Sequence, residues 1–140
     1  MSDPEDPITV CAEWVVKAEN DLLNAAHTLK LGVTCPTDTV CFHAQQCVEK
    51  YLKALLVVKG IHFPKTHDLE ALMALIPTGL RPEISSEEQA RLTYFATGAR
   101  YPDWGQISLA AARRAVAIAR RVRREVRREL PRKAVRRKRS

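Results

Sequence analysis

Glycine and proline are placed along this chain in a way that leaves few folds open. All of them stand between stretches in which apolar residues recur at helical spacing, and none stands inside one. They are Pro4, Pro7, Gly32, Pro36, Gly60, Pro64, Pro77, Gly79, Pro82, Gly98, Pro102, Gly105 and Pro131. Because both residue types destabilise helix interiors, they mark the connections between helices. The uninterrupted stretches predict helices over residues 9–31, 37–59, 67–76, 86–97 and 107–130.

Polar residues and glycine at the predicted ends support these helices. Candidate N-caps are Thr9, Thr37 or Asp38, Asp68 and Ser108, and Ser85-x-x-Glu88 and Ser86-x-x-Gln89 are alternative capping boxes. Gly60 follows the second helix where a C-cap is expected. Strand-like alternation of apolar and polar residues is absent. We therefore predict an all-α, up-down antiparallel bundle of about five helices, three long and two short, with no sheet.

The spacing of apolar residues assigns a buried face to the first and last long helices. In the first helix the predicted face consists of Val10, Trp14, Ala18, Leu22, Ala25 and Leu29. In the fifth helix it consists of Ala115, Val116, Ala119, Val122, Val126 and Leu130. Arginines stand opposite this second face, which is typical of the solvent side of an amphipathic helix. They are Arg113, Arg114, Arg120, Arg121, Arg124, Arg127 and Arg128.

Length and composition indicate one globular domain. The 140 residues suffice for a single core, with a predicted flexible N-terminus (1–8), a helical domain (9–130) and a disordered basic tail (131–140). No apolar run approaches the roughly 20 residues that span a bilayer. The acidic start, MSDPEDPI, is the opposite of a secretory signal, and the four cysteines are expected to be reduced and buried. We expect a cytoplasmic protein.

Positive charge is concentrated at the C-terminal end. Fourteen of the 23 Lys and Arg residues follow residue 104, but only two of the 16 Asp and Glu residues do. The tail after Pro131 could bind phosphate backbones of RNA or DNA without sequence preference, or it could serve only to keep the protein soluble. Its basic residues are Arg132, Lys133, Arg136, Arg137, Lys138 and Arg139.

The second helix carries the most informative polar residues. Its core face is predicted to hold Val40, Ala44, Cys47, Val48, Tyr51, Leu55 and Val58. Phe42, Leu56 and Val57 fall on the opposite side, which indicates a helix covered on more than one side. Gln46, Glu49, Lys50 and Lys53 lie between them. This pattern predicts a partly enclosed groove or a self-association surface. Solvated helix surface, with Glu49 and Lys53 as an ordinary i,i+4 pair, is the alternative.

Two later segments carry the remaining candidates. In KTHDL, Lys65, His67 and Asp68 precede the third helix, and His67 could exchange a proton near neutral pH. Asp68 or Thr66 could instead simply cap that helix. In ARYPDW, Arg100 and Tyr101 lie in a connection beside Pro102, where Arg100 could bind a ligand or tie two helices together.

Metal and cofactor sites receive little support. Cys41, His43 and Cys47 do not complete a set of four zinc ligands, and no glycine-rich phosphate loop or serine-nucleophile motif is present. We predict neither a metal nor a cofactor. The lysines, glutamines and Arg100 together favour an anionic ligand with an amide or base edge, such as a nucleotide.

The segments CFHAQQCVEKYLKALLVVKGI, FPKTHDLEALMALIP and LTYFATGARYPDW, in this order and spacing, resemble the HEPN domain family (higher eukaryote and prokaryote nucleotide-binding). The resemblance covers residues 9 to 129 and leaves out the arginine tail. It implies a bundle of about five helices that forms a homodimer. The positions that match the family motif are Gln46, Glu49, Lys50, Lys53, Lys65, His67, Asp68, Arg100, Tyr101 and Pro102.

The resemblance also implies a partner. HEPN proteins are often encoded beside a minimal nucleotidyltransferase in a two-gene, toxin–antitoxin-like system, and some of them are toxins that cleave RNA without metal. Those toxins carry an Arg followed, after four to six residues, by a His late in the domain. This chain has no histidine after Arg100. The sequence thus favours a nucleotide-binding or adaptor module, with a ribonuclease that uses His67 and Arg100 as the alternative.

Overall fold

The described residues form six α-helices, whose bounds follow the pattern of glycine and proline. The computed structural model describes residues 6–97 and 106–136. Its helices are α1 (Pro7–Leu29), α2 (Thr37–Val58), α3 (Leu69–Leu75), α4 (Ser86–Thr97), α5 (Leu109–Arg127) and α6 (Arg132–Val135), with 3-10 turns at Gly32–Thr34 and Thr78–Leu80. No strand occurs in this part of the chain, and the predicted all-α bundle is confirmed. None of these helices is long and apolar enough to cross a membrane.

The central helix of the bundle is α2. It packs most extensively against α1, and it also contacts α5, α4 and α3. Fourteen of its 22 residues are buried, which a helix with a single apolar face does not reach. Leu55 and Leu56, on different sides of the helix, are both inaccessible to solvent. The prediction that α2 is covered on more than one side is therefore confirmed.

Several predicted helix ends are confirmed by their hydrogen bonds. Asp68 caps α3, and Ser108 caps α5 by accepting a backbone N–H at 3.0 Å. Ser85 and Glu88 form a reciprocal capping box, in which each backbone N–H donates to the side chain of the other. Gly60 ends α2 with φ of +70°, a conformation that glycine adopts without a steric cost.

The starts of the first two helices differ from the prediction. α1 begins at Pro7, two residues before Thr9, because the Asp6 carboxylate caps the helix. Proline suits the first helical position, since it has no backbone N–H that would lack an acceptor there. Thr37 does not cap α2: its hydroxyl donates to the backbone carbonyl of Ile107 at 2.6 Å. That bond joins the start of α2 to the segment before α5.

The buried face of α1 is also turned relative to the prediction. Cys11 and Val15 are buried together with Ala18 and Ala25, whereas Trp14 is half-buried. Trp14 is the bulkiest apolar residue of this helix, and it covers the edge of α2 rather than entering the core. All four cysteines are free, and three of them are buried.

Order continues beyond Pro131, where the sequence predicted disorder. Pro131 starts the short helix α6, which packs against α1. Ala134 is only 4% exposed, and the Arg127 guanidinium donates to the carbonyl of Val135 at 3.2 Å. Ala134 and Val135, the two apolar residues among the basic ones, therefore suffice to hold this segment against α1. The predicted flexibility of residues 1–8 does not hold for residues 7 and 8, which form the first turn of α1. Residues 1–5 and 137–140 lie outside the described residues.

Candidate functional site

Two predicted ligand-binding residues, Lys53 and His67, meet at the buried carboxylate of a third, Glu49 on α2, together with Gln45, which was not predicted. Glu49 is 3% exposed. Its Oε1 accepts hydrogen bonds from His67 Nδ1 at 2.8 Å and from Gln45 Nε2 at 3.0 Å, and its Oε2 accepts one from Lys53 Nζ at 3.0 Å. Residues 45, 49 and 53 are successive turns of one helix, and the segment between α2 and α3 brings His67 to them. We call Gln45, Gln46, Glu49, Lys53 and His67 the Glu49 cluster.

The two glutamines complete the Glu49 cluster. Gln45 Nε2 also donates to the backbone carbonyl of His67 at 3.3 Å, and Gln45 Oε1 accepts from Gln46 Nε2 at 2.7 Å. Both polar atoms of the Gln45 amide are therefore paired, which fixes its orientation. Gln45, Gln46, Glu49 and Lys53 are all buried. The alternative prediction of solvated helix surface is wrong for these residues.

Hydrogen bonding determines the charge state at the centre of the Glu49 cluster. Burial by itself raises the pKa of Glu49, but hydrogen bonds from Gln45, His67 and Lys53 and the charge of Lys53 outweigh it, and the pKa is lower than usual. Glu49 is thus ionised at neutral pH and can only accept hydrogen bonds. The proton of neutral His67 consequently resides on Nδ1, which leaves Nε2 as an acceptor. The His67 side chain is 58% exposed, so its ring forms the rim of the cluster.

Two aromatic rings help to bury the charge of Lys53. The Lys53 Nζ lies 5.4 Å from the ring centroid of Trp14 and 5.9 Å from that of Phe63. The two rings meet edge to face, with 6.4 Å between their centroids. Since aromatic faces attract cations, they partly replace the water that Lys53 gives up. Trp14 and Phe63 are half-buried and lie directly beside the Glu49 cluster.

Lys50 belongs to a separate cluster. Its Nζ donates to the carboxylate of Asp21 on α1, which also accepts a hydrogen bond from His43 Nδ1 at 2.8 Å. Asp21 is 8% exposed, and no described hydrogen bond joins it to the Glu49 cluster. Asp21 was not among the predicted site residues. Its signal was an acidic residue placed between Ala18 and Ala25 on the buried face of a helix.

A third polar group joins α1, α2 and α5. The Glu19 carboxylate accepts two hydrogen bonds from Arg123, at 2.8 and 3.0 Å, and one from the Tyr51 hydroxyl. Burial tends to raise the pKa of Glu19, but these bonds lower it overall. Arg127 donates to the Tyr51 hydroxyl at 3.2 Å, so it is not on the solvent side of α5 as predicted. Arg121, which bonds to Glu88, departs from that prediction in the same way.

Comparison with known proteins decides the family. A model of the HEPN domain matches residues 11–129. The chain belongs to the HEPN domain family. Its HEPN fold is similar to the crystal structure of TT1696 from Thermus thermophilus, with a TM-score of 0.70 and 25% identity over 86% of this chain and 98% of that one. The comparison with curated proteins gives no match.

The remaining motif positions of this HEPN domain do not belong to the Glu49 cluster. Asp68 accepts the N–H groups of Glu70 and Ala71 as the cap of α3. Lys65 is exposed and has no hydrogen bond or ion pair among the described residues. Arg100 and Tyr101 lie outside the described residues, so their predicted roles stay predictions. Within the described ranges, no three His, Cys, Asp or Glu side chains are grouped as metal ligands.

Proposed function

We propose that this HEPN chain is a nucleotide-binding or adaptor module that acts as a homodimer beside a minimal nucleotidyltransferase. The observation that carries the proposal is the Glu49 cluster, an ionic and amide network buried in the central helix. Apolar residues of similar volume would pack at least as stably in many such positions. A buried polar network that ends in an exposed imidazole therefore favours a binding role over a purely structural one.

The surroundings of the Glu49 cluster suit the parts of a nucleotide. The exposed Nε2 of His67 can accept a hydrogen bond from a hydroxyl or amino group. Lys65, exposed two residues earlier, supplies a cation for phosphate. Trp14 and Phe63 add aromatic surface against which a base can pack. In this assignment Glu49 does not touch the ligand but holds His67 in position.

Titration calorimetry with ATP, GTP and a short single-stranded RNA tests ligand binding. We expect Lys65→Ala to weaken binding, because Lys65 is exposed and its loss leaves the core intact. Lys59→Ala removes another exposed lysine, at the end of α2, and is the matched control. Absence of heat with all three ligands, or equal affinity losses in both variants, would remove the nucleotide-binding assignment.

Co-expression tests the proposed partnership. The chain is produced together with the minimal nucleotidyltransferase encoded nearest to its gene, and the mixture is analysed by size-exclusion chromatography with light scattering. We expect the chain alone to show twice the 15.8 kDa mass of one copy, and the two proteins to elute together. A single-copy mass contradicts the homodimer, and separate elution contradicts the pairing.

The contact between His67 and Glu49 supports a second candidate, a metal-independent ribonuclease. An exposed imidazole that is oriented through Nδ1 by a buried carboxylate has the arrangement of a general base. RNA cleavage in EDTA would be lost in His67→Ala and retained in His62→Ala, which alters an exposed histidine five residues earlier. A wild-type chain that leaves RNA intact and does not arrest growth excludes this candidate.

A further inference from the structure

A groove separates the last two long helices. α4 and α5 are consecutive among the described helices and both pack on α2, yet few of their described residues approach one another. Between them lies a cavity of about 490 Å³. Its apolar lining includes Leu92 and Phe95 of α4 and Ala115 and Ile118 of α5. This volume falls within the range of about 300–1,000 Å³ that is typical of small-molecule sites.

Arginines line the rim of this α4–α5 groove. Arg91 pairs with Glu87 at 3.5 Å, and Arg121 pairs with Glu88 at 2.9 Å. Arg114 also lines the groove but has no ion pair among the described residues. The rim therefore carries one positive charge that the described acidic residues do not balance. An anionic group is the complement of such a rim.

Arg121 contributes a second feature that favours an anion. Its Nε–H is buried and has no acceptor among the described residues, although its Nη2 bonds to Glu88. A buried donor without an acceptor is unfavourable. A small rotation of this guanidinium toward a bound oxyanion would pair the donor.

We propose that the α4–α5 groove binds a small amphipathic anion, with one carboxylate, sulfonate or phosphate group on an apolar or aromatic body. The anionic group meets Arg114 and Arg121, and the body lies along Leu92, Phe95 and Ile118. No residue of the Glu49 cluster lines this groove, so the site is separate from the proposed nucleotide site.

The size of the groove favours such a ligand over a docked helix. Peptide helices that dock in grooves use apolar anchors at i, i+3, i+4 and i+7, which extend over about two turns. The larger apolar side chains that line this groove are Leu92 and Phe95 on α4 and Ile118 on α5, and they extend over only about one turn of either helix. A compact organic anion fits the cavity without separating α4 from α5.

Fluorescence titration with anilinonaphthalene sulfonate, an aromatic anion, tests the proposal on the intact chain. We expect one bound probe per chain, displaced by octanoate. Arg114→Ala should weaken binding by about ten- to a hundredfold, the range for loss of one hydrogen bond to a charged group. Arg113→Ala is the matched control, because Arg113 is the adjacent exposed arginine and does not line the groove. Ala117→Trp, an exposed lining position, should fill the groove and abolish binding without lowering the melting temperature.

Several outcomes would overturn the proposal. The first is that the wild type does not bind the probe. The second is that Arg113→Ala and Arg114→Ala weaken probe binding equally. The third is that Ala117→Trp binds the probe as well as the wild type does. Equal weakening would indicate general attraction to the basic helix α5 rather than a site. Loss of the homodimer in Ala117→Trp, together with no probe binding by the wild type, would assign the groove to a second copy of the chain instead.

Discussion

Replacing Glu49 with glutamine removes the negative charge from the centre of the Glu49 cluster and changes the shape of the side chain very little. Lys53 then keeps its charge but loses the carboxylate that lay 3.0 Å from its Nζ. The side chains of Glu49 and Lys53 are only 3% and 8% exposed, so water cannot replace the lost partner without a rearrangement. The variant therefore contains an uncompensated buried cation.

The expected loss of stability follows from that burial. Removing one partner of a buried ion pair costs about 3–5 kcal/mol. Cation–π attraction from Trp14 and Phe63 persists in the variant and is worth about 0.5–2 kcal/mol, so we expect a value near the lower limit, about 3 kcal/mol. Domains of this size are stable by about 5–15 kcal/mol, and the variant should still fold.

A double-mutant cycle separates this charge effect from a change in packing. Lys53→Met alone leaves the Glu49 carboxylate buried with only its hydrogen bonds from Gln45 and His67. Combining Glu49→Gln with Lys53→Met removes both charges, so the double variant should be more stable than the sum of the single losses predicts. Residues in direct contact typically couple by about 0.5–3 kcal/mol, and we expect at least about 1 kcal/mol here.

Urea unfolding followed by circular dichroism at neutral pH measures all four proteins of the cycle. A loss below about 1 kcal/mol in Glu49→Gln, or strict additivity in the double variant, would refute the assignment of a buried, coupled ion pair. Acid provides an independent measurement. Because folding lowers the pKa of Glu49, its contribution is complete above the ordinary glutamate pKa and is lost as the pH falls through the lower folded value. Glu49→Gln should lack this part of the acid-induced loss.

Three further predictions concern other parts of the chain. Tyr51→Phe should cost about 1–2 kcal/mol in calorimetry because Glu19 and Arg127 lose a shared hydroxyl, and an unchanged melting temperature would contradict this. Ser108→Ala should cost about 1 kcal/mol by removing the cap of α5, and chemical denaturation that shows no loss would contradict the capping role. Glutamine at every basic position after Pro131 should abolish salt-sensitive RNA binding in gel shifts, and retained binding would exclude the tail. The positions are Arg132, Lys133, Arg136, Arg137, Lys138 and Arg139.

Local rules of sequence were sufficient to predict the bundle. Gly60 ends α2 and Ser108 starts α5, because each satisfies backbone groups of its own helix without help from distant residues. The burial of α2 on two sides was also predictable, because helical periodicity places Phe42 and Leu56 on the side opposite its core face. These features depend on residues that are close together in the chain.

Contacts between helices could not be predicted in the same way. Helical periodicity shows on which face Lys50 lies, but not that Asp21 of α1 lies opposite it. Order in α6 escaped prediction for a related reason. Ala134 and Val135 are too few to produce a periodic pattern, and their effect depends on the surface that α1 happens to present. Tertiary packing decides both cases.

The polar residues of α2 are contiguous in sequence but do not form one site. Gln45 and Glu49 bond to His67 in the segment before α3, whereas Lys50 bonds to Asp21 of α1. Lys50 and Lys53 are neighbours on the helix surface, but their ammonium groups bond to carboxylates on different helices. A substitution of Lys50 would therefore change ligand binding indirectly, by altering how α1 packs on α2. A substitution of His67 would change ligand binding directly, because His67 forms the rim of the Glu49 cluster.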